Sequence, residues 1–163
     1  MDKVMQALTN KGDKYLTFAL AGEEYGIDIL KVKEIIGIMP ITTIPQMPNF
    51  LKGVINLRDQ VIPVVDLRLK FELASIGYTD RTCIIVVEVT NAERKVPMGI
   101  VVDSVSEVLN IDTEDIEAVP TIEEAIKVKY ILGIAKIKDS VKILIDVDKI
   151  LSNKELVELG NAV

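Results

Sequence analysis

Residues 53–71, GVINLRDQVIPVVDLRLKF, align without a gap on residues 133–151, GIAKIKDSVKILIDVDKIL, at an offset of 80. Gly53 meets Gly133, Arg58 meets Lys138, Asp59 meets Asp139, Val61 meets Val141 and Asp66 meets Asp146. A second pair, GIDILKVKEII (26–36) over GIVVDSVSEVL (99–109), aligns at an offset of 73 and sets Gly26 on Gly99, Val32 on Val105 and Glu34 on Glu107. The two pairs run in the same order, the mark of an internal duplication. A chain of 163 residues built this way is expected to hold two copies of one small β unit, at about 14–71 and 82–151. One such unit buries little surface by itself, so the two are expected to share a core within a single domain, 1–163.

The β character is read from short β-branched runs separated by turn residues: 15–20, 53–57, 61–65, 83–89, 97–102, 131–137 and 141–145. Ile and Val suit a pleated, half-buried surface. Within 53–71, Arg58 is expected to end one strand and Asp59-Gln60 to make the turn, since aspartate tolerates positive φ. Pro63 lacks a ladder donor and points to an edge strand or a bulge. An edge as apolar as Val61 to Val65 needs a cover, from the other unit or from another protein. Helical signals are fewer. Ser152 to Glu155 has the form of a capping box opening a helix over Lys154–Leu159. The acidic segment 112–127, interrupted by Pro120, is expected to be a loop with helical turns.

Charge and composition narrow the functional classes. The net charge is −6, which argues against nucleic acid, whose phosphates need a basic face. There is no histidine, the usual general base near neutral pH and a frequent zinc ligand. No apolar run approaches the length that spans a bilayer, and the first residues lack a signal-peptide core. The single cysteine, Cys83, lies in the apolar run CIIVVEV and cannot staple the fold, so a reducing cytoplasm is expected.

Candidate chemistry is sparse. The repeat relates Asp66 to Asp146, and two aspartates from duplicated lobes raise the idea of an aspartyl hydrolase dyad. The residues that follow, Leu67-Arg68 and Val147-Asp148, do not suit that reaction, and each aspartate is expected to cap a short helix. The acids Asp112, Glu114, Asp115 and Glu117 lack the calcium-loop pattern and read as a solvated face. Cys83 has no histidine to activate it and is expected to be structural. No glycine-rich phosphate loop is present. Two features point to partners instead. The aliphatic stretch VKEIIGIMPITTI carries Val32, Ile35, Ile36, Ile38, Ile41 and Ile44 on backbone broken by Gly37 and Pro40. Most of these side chains are expected in the core, but irregular backbone lies at surfaces, where an apolar patch marks an interface. Arg58 stands at the lip of a hairpin with no evident partner acid, and arginine is enriched at interface hot spots.

GVINLRDQVIPVVDLR closely resembles the Asn-Leu-Arg-Gly…Ile-Pro-hydrophobic-Asp-Leu-Arg signature of the CheW family of chemotaxis coupling proteins. EEYGIDILKVKEII (23–36) and GIVVDSVSEVL (99–109) resemble the family's two other signatures, in the right order, so the resemblance spans about residues 14–159. It implies a mainly β fold: two small five-stranded β-barrels around a shared hydrophobic core, with short helices and a C-terminal helix. It implies no enzymatic activity, no cofactor and no metal. The implied partners are the cytoplasmic tips of methyl-accepting chemotaxis proteins and the regulatory domain of the histidine kinase CheA, which alternates with the coupling protein in rings. The chain has no room for a receiver or ATP-binding domain, so a stand-alone cytoplasmic coupler, recruited to membrane receptor arrays, is expected. A scaffold of a different signalling array is the alternative.

Residue by residue, the resemblance implies receptor contact for Val32, Glu34, Gly53, Arg58, Val105 and Val108. It implies kinase contact for Ile35, Ile38, Ile41 and Ile44, and a second, ring-closing contact for Glu117, Thr121 and Ile122. Two departures stand out. Glu117 occupies a place where relatives can carry a basic residue, which bears on the charge pairing there. Asp59 replaces the usual glycine after Arg58, from which a slightly altered hairpin tip is expected.

Overall fold

A computed structural model of the protein describes residues 12–91, 93–117, 129–152 and 155. Strands dominate: β1 (Gly12–Leu20), β2 (Glu23–Asp28), β3 (Val32–Gly37), β4 (Leu51–Leu57), β5 (Gln60–Asp66), β6 (Cys83–Asn91), β7 (Arg94–Val102), β8 (Ser104–Asp112), β9 (Ile116–Glu117), β10 (Ile131–Ile137) and β11 (Ser140–Ile145). A short helix, α1 (Leu67–Lys70), follows β5, and single 3-10 turns occupy Ile29–Lys31, Thr113–Asp115 and Val147–Lys149. Four strands, β2, β3, β8 and the two-residue β9, lie where no strand was read from sequence. Val32–Gly37 in particular is strand, with a register shift between Val32 and Glu34, and it ends at Gly37.

The strands form a six-stranded sheet, β8-β1-β2-β11-β10-β9, and a five-stranded sheet, β3-β6-β7-β5-β4. Each sheet draws strands from both halves of the sequence. The two orders are equivalent once β1, β2, β3, β4 and β5 are matched with β6, β7, β8, β10 and β11. The ladders agree with the internal alignment residue for residue. Val64 pairs in parallel with Gly99, and Leu144 pairs in parallel with Gly26. Register shifts fall between Leu51 and Gly53 in one hairpin and between Ile131 and Gly133 in the other. The N–H of Asp66 donates to Phe50 at 2.7 Å, and that of Asp146 to Tyr130 at 2.8 Å.

Neither sheet closes into a barrel through a continuous ladder. The chain leaving the first strand of each order bridges the gap instead. After β3, Thr42 pairs with Val54 through two hydrogen bonds of 2.9 Å. After β8, Ile116 and Glu117 pair with Ala135 and Ile134. These crossings require small residues beneath them. A Cβ on Gly53, whose φ is +143°, would lie 2.0 Å from the Thr42 carbonyl oxygen. A Cβ on Gly133 would lie 2.8 Å from that of Glu117. Each sheet wraps its own apolar cluster: Ile55, Ile62, Val64, Ile84, Val86 and Val101 in one, Tyr15, Ile111, Ala135 and Leu144 in the other. A larger shared cluster, including Phe18, Ile27, Val65, Leu67, Ile85, Ile100, Ile145 and Val147, joins them. Burying each such aliphatic side chain contributes about 1.5–3 kcal/mol, so the shared cluster dominates cohesion.

Three local readings change. The first hairpin turns at Arg58-Asp59, with φ of 52° and 67°, and Leu57 pairs with Gln60. Two consecutive positive φ angles match the twist of a tight hairpin, and this register sets Ile55 opposite Ile62, both buried. β5 is not an edge strand; it lies between β4 and β7. Its parallel ladder starts at Val64, just past Pro63, so the missing N–H is tolerated there. The segment after β8 makes one 3-10 turn and the two-residue strand β9, while 118–128 lie outside the described residues. At the C-terminus the capping box forms: Ser152 N–H donates to Glu155 Oε1 at 2.7 Å and Glu155 N–H to Ser152 Oγ at 3.1 Å. The rest of the expected helix, 153–154 and 156–159, is outside the described residues.

Candidate partner-binding site

Arg58 leaves the hairpin tip and reaches across to β3. Its guanidinium donates to both oxygens of Glu34, Nη1 to Oε2 at 2.5 Å and Nη2 to Oε1 at 2.6 Å. This supplies the acid partner that sequence reading did not find, because the two residues are 24 positions apart. The left-handed backbone at Arg58 is what directs the side chain off the end of the hairpin. The Arg58 side chain stays 70% exposed, and that of Glu34 28%. The hydrogen bond from Arg58 lowers the Glu34 pKa. A forked, charge-assisted pair in open solvent holds a planar cation in one orientation without burying it, the form in which arginine serves as a recognition element.

The other residues implied in receptor contact distribute over the two edge strands. Val32 shares β3 with Glu34 and is half-buried against the shared cluster, as is Val105 on β8. Val108, on β8, is 49% exposed. Gly53 is different, since the Thr42 crossing by itself accounts for glycine there. Of the residues implied in kinase contact, Ile35 and Ile38 are exposed, at 45% and 38%. Ile41 packs on the β3–β7 cluster, and Ile44 is half-buried. Glu117 faces Lys136 at 3.4 Å, both largely exposed. Thr121 and Ile122 lie outside the described residues.

The chemistry considered in the sequence resolves towards structure. The Asp66 carboxylate accepts from the N–H groups of Arg68 and Leu69, and that of Asp146 from Asp148. Both aspartates start helical turns, as capping predicts. Cys83 is half-buried, and burial pushes its thiol pKa up, away from the reactive thiolate. Among the described residues, no group of three or more His, Cys, Asp or Glu is placed to hold a metal ion.

Sequence reading missed several features. Leu30 is 87% exposed on the 3-10 turn between β2 and β3. Arg68 forks onto Asp103, Nε to Oδ1 at 2.7 Å and Nη2 to Oδ2 at 2.6 Å, and its Nη1 donates to the Ala74 carbonyl at 2.9 Å. Lys142 is buried against Glu24 at 2.8 Å, at the position matched by Ile62 in the other half. The second Arg of the DLR motif was a signal for the first of these pairs. Nothing local marked Leu30.

Comparison with known proteins agrees with this surface-centred picture. The family model for the CheW-like domain matches residues 14–155. The chemotaxis protein CheW of Klebsiella aerogenes is 41% identical over 150 residues, covering 92% of this chain and 88% of that one. The chemotaxis protein CheW of Treponema pallidum is 31% identical over 163 residues, covering 98% and 94%. The crystal structure of the scaffolding protein CheW from Thermoanaerobacter tengcongensis matches with a TM-score of 0.78 at 37% identity, covering 88% of this chain and 95% of that one. Fold, ordered motifs and relatives agree: this chain belongs to the CheW family of non-enzymatic chemotaxis scaffold proteins.

Proposed function

We propose that this protein joins methyl-accepting chemoreceptors to the histidine kinase CheA within a signalling array. The observation that carries the proposal is the exposed Arg58–Glu34 fork, set beside the exposed apolar residues Ile35 and Ile38 of the same chain segment. A fixed cation and exposed aliphatic side chains carried by one chain segment suit two protein contacts. The receptor face comprises Val32, Glu34, Arg58, Val105 and Val108, with Gly53 shaping it from beneath. The kinase face comprises Ile35, Ile38, Ile41 and Ile44, with Glu117, Thr121 and Ile122 at a second contact. No helix among the described residues is long and apolar enough to cross a membrane. In this reading the protein works from the cytoplasm and reaches the membrane through its receptors, without inserting into it and without a nucleic-acid partner. Individually weak contacts suffice, because an array supplies high effective concentration.

Reconstitution tests this reading. A receptor cytoplasmic fragment, CheA and this protein from one host are expected to co-sediment, with kinase activity brought under receptor control. The same mixture carrying Arg58→Glu is expected to lose receptor control. Equal receptor control of the kinase with and without the protein would contradict the adaptor role.

A further inference from the structure

We infer that Thr17 is a positioning residue for the receptor face: its buried hydroxyl holds a bulge in β8 that sets Val105 and Val108 on one side of the sheet. This rests on the receptor reading of those two valines and adds the device that presents them. A regular strand places residues three positions apart on opposite faces. Val105 and Val108 are three apart, yet their partners on β1 are Phe18 and Leu16, which are two apart and share a face. The register shift between Leu16 and Phe18 makes this possible, because Ser106 and Glu107 together stand opposite Thr17 alone. The burial pattern of β8 carries the same break, with Ser106, Glu107 and Val108 exposed in succession.

A bulge takes backbone groups out of the ladder, and Thr17 satisfies them. Thr17 is completely buried. Its Oγ1 donates to the Glu107 carbonyl at 2.9 Å and accepts from the Glu107 N–H at 3.1 Å. The other bulge residue is tied as well. Ser106 Oγ donates to Glu24 at 2.8 Å, and Glu24 accepts from the buried Lys142 ammonium at 2.8 Å. The matched strand in the other half makes the contrast. β3 carries the same bulge, between Val32 and Glu34, but the residue matched with Thr17 is Val86, which pairs directly with Glu34. There the bulge residues are held from outside, Lys33 by Glu88 and Glu34 by Arg58. In β8 the hold comes from within, through one hydroxyl. Being buried, Thr17 acts only through the strand it fixes. A strand already held in its binding form loses little freedom on association.

The test combines amide hydrogen exchange with calorimetric titration of the full chain against a soluble cytoplasmic fragment of a chemoreceptor from the same host. Wild type, Thr17→Val, Thr17→Ser and Arg58→Glu are compared, with binding of the CheA regulatory domain measured alongside. Valine is the residue at the matched position of the other half, so it suits a buried strand of this fold, and it removes both hydrogen bonds. In wild type the Glu107 amide is expected to be protected like the paired amides of β8. Thr17→Val is expected to speed its exchange at least about tenfold and to weaken receptor binding about three- to tenfold, with CheA-domain binding as in wild type. Thr17→Ser keeps the hydroxyl and is expected to restore both. A freely exchanging Glu107 amide in wild type would overturn the proposal without any variant. Unchanged receptor affinity in Thr17→Val, with Arg58→Glu still defective, would overturn the positioning role and leave the receptor reading standing. Equal losses of receptor and CheA-domain binding in Thr17→Val would make the hydroxyl merely structural and overturn the role too. No receptor binding by wild type would overturn the receptor reading, and this proposal with it.

Discussion

Arg58 and Arg68 stand ten positions apart in the same motif and do opposite things. Arg58 is exposed and forks onto an acid of β3, at the opposite edge of the same sheet, whereas the Arg68 side chain is 13% exposed and forks onto Asp103. Arg58→Glu should therefore leave Tm nearly unchanged, since solvent-exposed ion pairs contribute little to stability, while receptor coupling is lost. A thermal melt and a receptor-binding assay on one preparation check both halves. Asp103 carries a pH signature. The hydrogen bond from Arg68 holds its pKa below the ordinary carboxylate value. The stability it contributes is present above the unfolded carboxylate pKa and is lost as pH falls through the folded value. Asp103→Asn should lower stability at neutral pH and flatten its decline on acidification, measured by denaturant titration across the acid range. An unchanged acid slope would count against that assignment. At this scale the sequence disclosed Arg58 as exposed but not its partner. Glu34 lies on β3, at the opposite edge of the sheet from β4, and no local pattern encodes a pairing between two strands brought together only by the fold.

At the scale of elements, seven strands were announced because β-branched, aromatic and other apolar residues are concentrated in short runs between turn residues. β2, β3 and β8 escaped because charged and small residues alternate with their apolar ones, as in EEYGID and VKEIIG. That alternation is itself the mark of a strand with one wet face, obscured in β3 by the aliphatics that follow it. The hairpin was read one residue late. The residue types favoured a turn at Asp59-Gln60, but opposing Ile55 to Ile62 in the sheet interior decides the register. Glycine at 53 follows from the Thr42 crossing. Gly53→Ala combines an unfavourable φ with a 2.0 Å collision against backbone, so it should destabilise by about 2–4 kcal/mol or displace the 38–44 segment. Gly133→Ala, with its 2.8 Å approach, should cost less. Thermal melts of the two variants, compared directly, test the ranking. Equal and negligible losses would mean that the crossings are looser than their geometry indicates.

For the whole molecule, the duplication was legible in the sequence as an alignment, but its consequence was not. The alignment pointed to two units side by side, whereas the sheets exchange strands, so each is completed by the other half of the chain. Neither sheet can form from one sequence half, and the shared cluster ties them further. Ile100→Ala, at a fully buried position in that cluster, should therefore cost about 2–5 kcal/mol and lower a single cooperative transition rather than split it. Circular dichroism against denaturant would show either one transition or two. The chain belongs to a family of non-enzymatic scaffold proteins, so its surface is where the proposed function is tested. The decisive measurement is calorimetric titration of this protein with the C-terminal regulatory domain of CheA from the same host, for wild type and for Ile38→Asp, an exposed position outside the packed clusters. The adaptor account predicts saturable, equimolar binding by wild type, weakened about tenfold or more by Ile38→Asp at unchanged Tm. No binding by wild type at high micromolar concentration would contradict it.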